Sequence, residues 1–261
     1  MFVKDVRLQI ALTLLIISIL SLFHFFSFSL LLTLIFLILS GQFIDIALTY
    51  LTQKKLFLSY SALVTASLVF LIIDKNSPLW LPLLTLFIAI ASKHLLKIGP
   101  GHIFNPAAFG ILSVSIIIQT PPSWWGTSWS GLLPLIIILG SFPVLLRLRR
   151  LYMVFGFLII YILYSFVTTL HLNFLFFLDG TIILFAFIML PEPQTSPFMR
   201  NWRYIFGFFV GLLAIPIAKL SSIYPTLDFL IASLLSADLL SFILNNFLLI
   251  KKTTPLPTQN V

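Results

Sequence analysis

The chain has 261 residues, 60% of them hydrophobic and only 8% charged, with a mean hydropathy of +1.15 and a formal net charge of +8. A soluble domain carries about a quarter charged residues, so the composition excludes an ordinary soluble enzyme and points to a polytopic membrane protein. With no cysteine there are no disulfides, thiolate zinc sites or Cys-ligated iron–sulfur clusters within the chain, and no basic stripe on a soluble fold supports nucleic-acid binding.

In chain order the apolar segments run over about 8–24, 27–51, 57–73, 79–96, 107–119, 131–146, 151–170, 178–191, 203–218 and 226–250, each closed by polar or turn residues. Several fall short of the ~20 residues of a perpendicular span, so tilted, broken or half-length helices are expected. The first follows Lys4 and Arg7 but has no small-x-small cleavage site, and reads as a retained span rather than a signal peptide. The cations test the count. Lys4, Arg7, Lys54, Lys55, Lys93, Lys97, Arg147, Arg149, Arg150, Arg200, Arg203, Lys251 and Lys252 fall on one side of a ten-span chain, and only Lys75 and Lys219 on the other. The positive-inside rule then places both termini in the cytoplasm of a cell whose inner or plasma membrane the chain crosses. The expectation is an all-α transmembrane domain over 1–252 and a cytoplasmic tail over 253–261. Ten spans divide into a first repeat at about 8–119 and a second at about 131–250, with the odd number of spans that inverted repeats require.

Two segments interrupt this pattern. In His102–Gly110 (HIFNPAAFG), Pro106 removes a backbone donor and Gly101 and Gly110 loosen the chain on either side. In Pro191–Phe198 (PEPQTSPF), three prolines end the preceding helix near residue 190. Unpaired backbone is costly in lipid, so such breaks survive where protein or a wet cavity satisfies them, and paired breaks in two halves point to a site at the repeat interface. The plainer alternative for the first is a capped helix start, with Asn105 as cap, Pro106 in the first turn and two close-packing alanines. For Glu192 it is a solvated interfacial charge.

Asp45 and Asp238 lie inside predicted spans, and Asp179 and Asp228 at span ends. A carboxylate in hydrocarbon faces the bundle interior, which makes Asp45 and Asp238 candidates for binding a proton or cation. The alternative is a purely structural role, neutralised by a buried partner such as Lys93. His94 and His102 lack a regular helical metal or haem spacing, so no metal site is expected. No phosphate loop, nucleophile elbow or dinucleotide fingerprint occurs, so the chain is not expected to bind NADH itself.

The segment His102–Gly110, with Lys93 and His94 upstream, resembles the Asn-Pro-Ala motif of the NqrB/RnfD family, the membrane subunits of sodium-pumping NADH:quinone reductase and of the Rnf ferredoxin:NAD oxidoreductase. Met189–Pro197 is similar to that family's second signature, with Glu192-Pro193 in place of the usual Asp-Pro and Thr195-Ser196-Pro197 matching directly. The resemblance implies a fold of two inverted five-helix repeats like those of urea transporters. It also implies a membrane-embedded electron-transfer subunit holding FMN, with riboflavin or a quinone as further candidates, whose electron flow is coupled to Na⁺ or H⁺ movement. The implied partners are other subunits of such a complex, including an FMN-binding subunit and an NADH- or ferredoxin-oxidising reductase.

Family members that pump carry FMN covalently on the threonine of a Ser-Gly-Ala-Thr sequence, which this chain lacks. Its inter-repeat linker, Thr120–Ser130, offers Thr127 after Gly126, with Ser128 or Thr120 as alternatives. Trp124, Trp125 and Trp129 either stack on an isoalloxazine ring or form an interfacial aromatic belt. The cofactor candidates are therefore Asn105, Pro106, Trp124, Trp125, Thr127, Glu192, Thr195 and Ser196, with no catalytic residue assigned. The helix starts near 107 and 199 would favour phosphate or another anionic group. Two rival readings use the same breaks: a channel or transporter for a small polar solute, and a membrane anchor for a flavoprotein partner.

Overall fold

The computed structural model describes residues 5–98, 101–129, 131–169, 179–192, 195 and 200–253. Ten helices form among them: α1 (Val6–Phe25), α2 (Phe28–Gln53), α3 (Tyr60–Ile72), α4 (Trp80–Leu95), α5 (Pro106–Ile118), α6 (Leu133–Leu148), α7 (Leu151–Thr169), α8 (Gly180–Met189), α9 (Arg200–Ser221) and α10 (Phe229–Thr253). Among the described residues the one departure from an all-α fold is an antiparallel pair of two-residue strands, β1 (Lys97–Ile98) and β2 (Gly101–His102), between α4 and α5.

The helix boundaries fall within a few residues of the apolar segments. Local chemistry explains several ends: Asp5, Ser27, Asn105 and Asp179 each accept a first-turn N–H, capping α1, α2, α5 and α8. Phe26, Lys54, Gln119 and Arg149 close α1, α2, α5 and α6 in the left-handed conformation. Four helices, α1, α2, α7 and α9, are long and apolar enough to cross a membrane, α3, α4, α5, α6 and α8 are shorter, and in α10 the apolar stretch is Phe229–Leu244. Large side chains such as Phe23, Leu39 and Phe43 point outward, as they do where lipid is the solvent.

The helices pack in a regular order. Within the first five, α1 packs on α3, α2 on α3 and α4, and α4 on α5. Within the last five, α6 packs on α8, α7 on α8 and α9, and α9 on α10. These four contacts of the first set have their counterparts in the second when α1–α5 is laid on α6–α10, whereas α3 also packs on α4 and α5. The halves meet where α1 packs on α6 and α5 on α10, each helix thus touching its own counterpart.

Close approach depends on small residues. A Cβ on Gly110 of α5 would lie 2.6 Å from the Thr85 carbonyl oxygen of α4, and one on Gly156 of α7 would lie 2.9 Å from the Phe208 nitrogen of α9. Without a hydrophobic driving force between helices in lipid, such contacts supply the cohesion. The second half of α8, Phe185–Met189, is π-helical, and the Leu190 N–H donates to the Phe185 carbonyl at 2.9 Å. The sequence leads one to expect an α-helix running to residue 190. The chain instead widens by one residue per turn before Pro191, a distortion frequent at functional sites.

Candidate functional site

Asn105 joins three elements at the junction of the two halves. Its side-chain oxygen accepts the Ala108 N–H at 3.0 Å, its amide Nδ2 donates to the Met189 carbonyl at the end of α8 (3.4 Å), and its backbone N–H donates to Asp238 Oδ2 on α10 (3.1 Å). Pro106 takes the first helical position, where a missing N–H costs nothing. The plain cap and the inter-repeat contact expected from the sequence are therefore one arrangement. Asp238 is 1% exposed, and its second oxygen has no hydrogen-bond partner among the described residues. An anion was expected at the start of α5, and the protein's own Asp238 carboxylate occupies that position.

Beside this junction lies a cavity of about 40 Å³ lined by Arg7, Ile10, Ser61, Asn105, Ile188 and Glu192. It has room for a single water or a small cation. Arg150, itself buried, donates from Nη1 to the Pro191 and Glu192 carbonyls at 3.1 and 3.0 Å, satisfying the carbonyl end of α8 with a cation. Thr195 is buried nearby in sequence, whereas Pro193, Gln194, Ser196 and Pro197 lie outside the described residues. So does the start of the connection into α9, and the expected anion position near residue 199 is not described.

Glu192 sits beyond the last turn of α8. Burial pushes its carboxyl from an ordinary 4.5 up to about 7, while Arg7, Lys93 and Arg150 pull it partly back. A carboxyl raised in the fold stabilises most fully below its unfolded value, and that contribution is lost as pH rises through about 7. The unfolding temperature in detergent should fall between pH 4.5 and 7, and Glu192→Gln should flatten that part of the profile. An unchanged slope in the variant would remove Glu192 as its source.

Asp45 of α2 is not isolated. Lys93 Nζ donates to its two carboxylate oxygens at 2.8 and 2.9 Å, and His94 Nε2 donates to Oδ1 at 2.8 Å. All three groups lie in the α2–α4 interface, with Asp45 2% exposed. Gln42, one turn earlier, clips the following loop by exchanging hydrogen bonds with the Ser59 backbone at 2.9 and 3.1 Å. The sequence suggested Lys93 as a partner, and His94 completes the cluster.

The linker between the halves folds inward. Ser123 and Trp124 N–H groups donate to the Ile72 carbonyl and Gly126 N–H to Leu71, so the linker backbone caps the end of α3. Trp124 Nε1 donates to Asp228 Oδ2 and Trp125 Nε1 to the Phe70 carbonyl, both at 2.8 Å. Each ring is only 6% exposed. This corrects the expectation of an interfacial belt for these two residues, because satisfying each indole N–H inside the protein draws its ring into the core. Trp129 stacks on His24, its ring centroid 4.5 Å away. Thr127 is fully buried, its hydroxyl donating to the Trp124 carbonyl at 3.3 Å, with Gly180 packed against its backbone. As folded, the linker offers a flavin phosphate no access to Thr127 and no open slot between Trp124 and Trp125. Thr120 and Ser128 are exposed residues.

Among the described residues no group of three or more His, Asp or Glu side chains is arranged to hold a metal. The structure thus brings Asn105, Pro106, Glu192 and Asp238 to one junction, and holds Asp45 in a separate cluster. Trp124, Trp125 and Thr127 belong to the linker, where Trp124 bonds to Asp228 before α10, Trp125 to α3 and Thr127 to Trp124, and none of them to Asn105. A search among curated proteins returns no match. The sequence model of the NQR2, RnfD, RnfE family matches residues 2–132, which is α1–α5 together with the linker and the Asn105 motif. The chain is therefore a membrane protein of the NQR2, RnfD, RnfE family.

Proposed function

We propose that this membrane subunit of an Rnf/Nqr-type complex couples electron transfer to the movement of Na⁺ or H⁺ through the junction of two inverted repeats, α1–α5 and α6–α10. The observation that carries the reading is the buried Asp238 carboxylate, with one oxygen on the Asn105 N–H and the other without a partner, at the contact between halves. A carboxylate in this position can exchange a proton or take a cation at modest rearrangement, which a fully bonded Asp45 cannot. The shared pattern of the main helix contacts in the two halves supports the repeat, and the cluster of cations toward one side supports cytoplasmic termini. Other subunits of the complex supply the NADH- or ferredoxin-oxidising chemistry and an FMN-binding domain.

The flavin assignment is narrower than the family resemblance implies. Thr127 does not fit a phosphoester, so flavin on this chain is bound without that linkage or through Thr120 or Ser128. The chain, co-expressed with its partner subunits and a flavin transferase, is examined by intact mass and in-gel fluorescence. The expected result is the same flavin content in wild type and Thr127→Ala. An FMN adduct that disappears in Thr127→Ala would overturn this placement. In proteoliposomes holding the whole complex, Asp238→Asn should uncouple ion uptake from electron transfer while leaving electron transfer running. Undisturbed coupling would remove Asp238 from the path, and a complex with no redox activity would favour the solute-transporter or anchor reading.

A further inference from the structure

An open groove of about 670 Å³ is bounded by α2, the end of α3 and the start of α4. Its chemistry changes along its length. At one end, where the α1–α2 and α3–α4 connections lie, it is lined by Ser29, Asp74, Lys75 and Ser77. Beyond them the wall is apolar, including Leu32, Ile35, Phe36 and Leu39, all with outward-facing, exposed side chains. The α2 wall runs from Phe28 to Leu39. At 1.5 Å per residue that is roughly 16 Å, about half the ~30 Å hydrocarbon thickness of a bilayer. The groove is therefore about as long as one leaflet is deep, with its polar groups gathered at one end.

The polar end is built rather than incidental. Lys75 is one of two cations on its side of the predicted topology, and its ammonium sits 3.6 Å above the Phe25 ring with no ion-pair partner among the described residues. Asp74 Oδ1 accepts the Asn76 N–H at 3.1 Å, and its carbonyl accepts the Ser77 N–H and hydroxyl at 3.0 and 2.6 Å, which holds the loop in a fixed turn. An unpaired cation and an adjacent exposed carboxylate complement a headgroup that carries both signs.

We propose that this groove binds one phospholipid with an ethanolamine-type head, its phosphate on Lys75, its ammonium on Asp74 and one acyl chain along α2. A zwitterionic head matches the two charges, whereas a purely anionic head would face Asp74 with like charge. The full chain is purified in mild detergent, and retained lipid is measured by native mass spectrometry and lipid extraction after exchange into nanodiscs of phosphatidylethanolamine, phosphatidylglycerol or phosphatidylcholine.

One phosphatidylethanolamine should be retained per chain. Lys75→Gln should lower retention about fivefold, the effect of one basic group near a membrane surface. Ile35→Trp, which fills the groove from its exposed wall, should abolish retention, and Asp74→Asn should shift preference toward phosphatidylglycerol. Asp74 is an exposed and Lys75 a half-buried loop residue, and an unchanged elution profile verifies the fold of both variants. No retained lipid, equal retention in all variants, a preference for phosphatidylglycerol in the wild type, or a partner subunit's helix filling the groove in the purified complex would each overturn the proposal.

Discussion

Replacing Asp45 with alanine is expected to destabilise the protein by about 3–5 kcal/mol, because it strands the Lys93 ammonium in the α2–α4 interface. Lys93 is held there by two bonds to Asp45 of 2.8 and 2.9 Å, and the Lys93 side chain is only 13% exposed. Removing the carboxylate takes away both bonds and the His94 contact together. Asp45→Asn keeps the shape but not the charge, and should recover only part of the loss. The informative comparison is the double replacement Asp45→Ala with Lys93→Met, which removes both charges and leaves an apolar stem of similar length. It should be clearly more stable than Asp45→Ala alone, since the cost lies in the unpaired charge rather than in the lost pair. Unfolding in mixed micelles, read as a double-mutant cycle, checks this. If the double variant is no more stable than the single one, the cluster contributes packing and not charge compensation.

The same cluster shows what a sequence makes legible. The ten helices could be read because each apolar run ends at residues with definite local chemistry, such as the Asn105-Pro106 cap and the left-handed Lys54 and Arg149. Long-range pairing leaves no such trace. Asp45 and His94 are 49 residues apart, and Asn105 and Asp238 are 133 apart, distances over which periodicity carries no information.

The two broken segments invite matching as repeat counterparts, yet the packing assigns Asn105, the cap of α5, to Asp228 at the start of α10. The segments at 105 and 191 meet in space instead, through the Met189 carbonyl. The tryptophans misled for a related reason. Aromatic residues in a polar linker between spans match an interfacial belt in composition, and only the positions of Asp228 and the Phe70 carbonyl turn Trp124 and Trp125 inward. Two cations counted toward the topology, Lys93 and Arg150, prove to be bonded within the protein rather than free in a loop. The asymmetry survives their removal, since eleven of the remaining thirteen still fall on one side.

The largest structural effect should come from Gly207→Val. Gly207 on α9 faces the Met153 carbonyl of α7 so closely that a Cβ would overlap it, and the obstacle is backbone that cannot rotate away. Gly156 on α7 and Gly211 on α9 make similar approaches, so three glycines set the spacing of this pair. Around them Met153, Phe157, Phe206 and Val210 are fully buried, and a wider separation would open gaps beside each. Lipid does not drive helices together by hydrophobicity, and cohesion lost at this contact has no substitute. The variant should yield little monodisperse protein and should be cut by protease where the wild type resists. Gly41→Ala serves as control, because its nearest neighbour, Leu86 Cδ2, is at an ordinary 3.4 Å.

The consequence reaches the candidate site as well. α9 packs on α10, which carries Asp238, so a displaced α9 takes the carboxylate away from the Asn105 N–H. A milder change, Gly211→Ala, meets the Ile160 Cβ at 2.8 Å, a shortfall that a small shift of α9 against α7 would relieve. It should keep the fold while impairing ion coupling more than electron transfer in the reconstituted complex. A Gly211→Ala protein with both activities reduced in equal proportion would mean that the α7–α9 pair supports stability alone and has no influence on the junction.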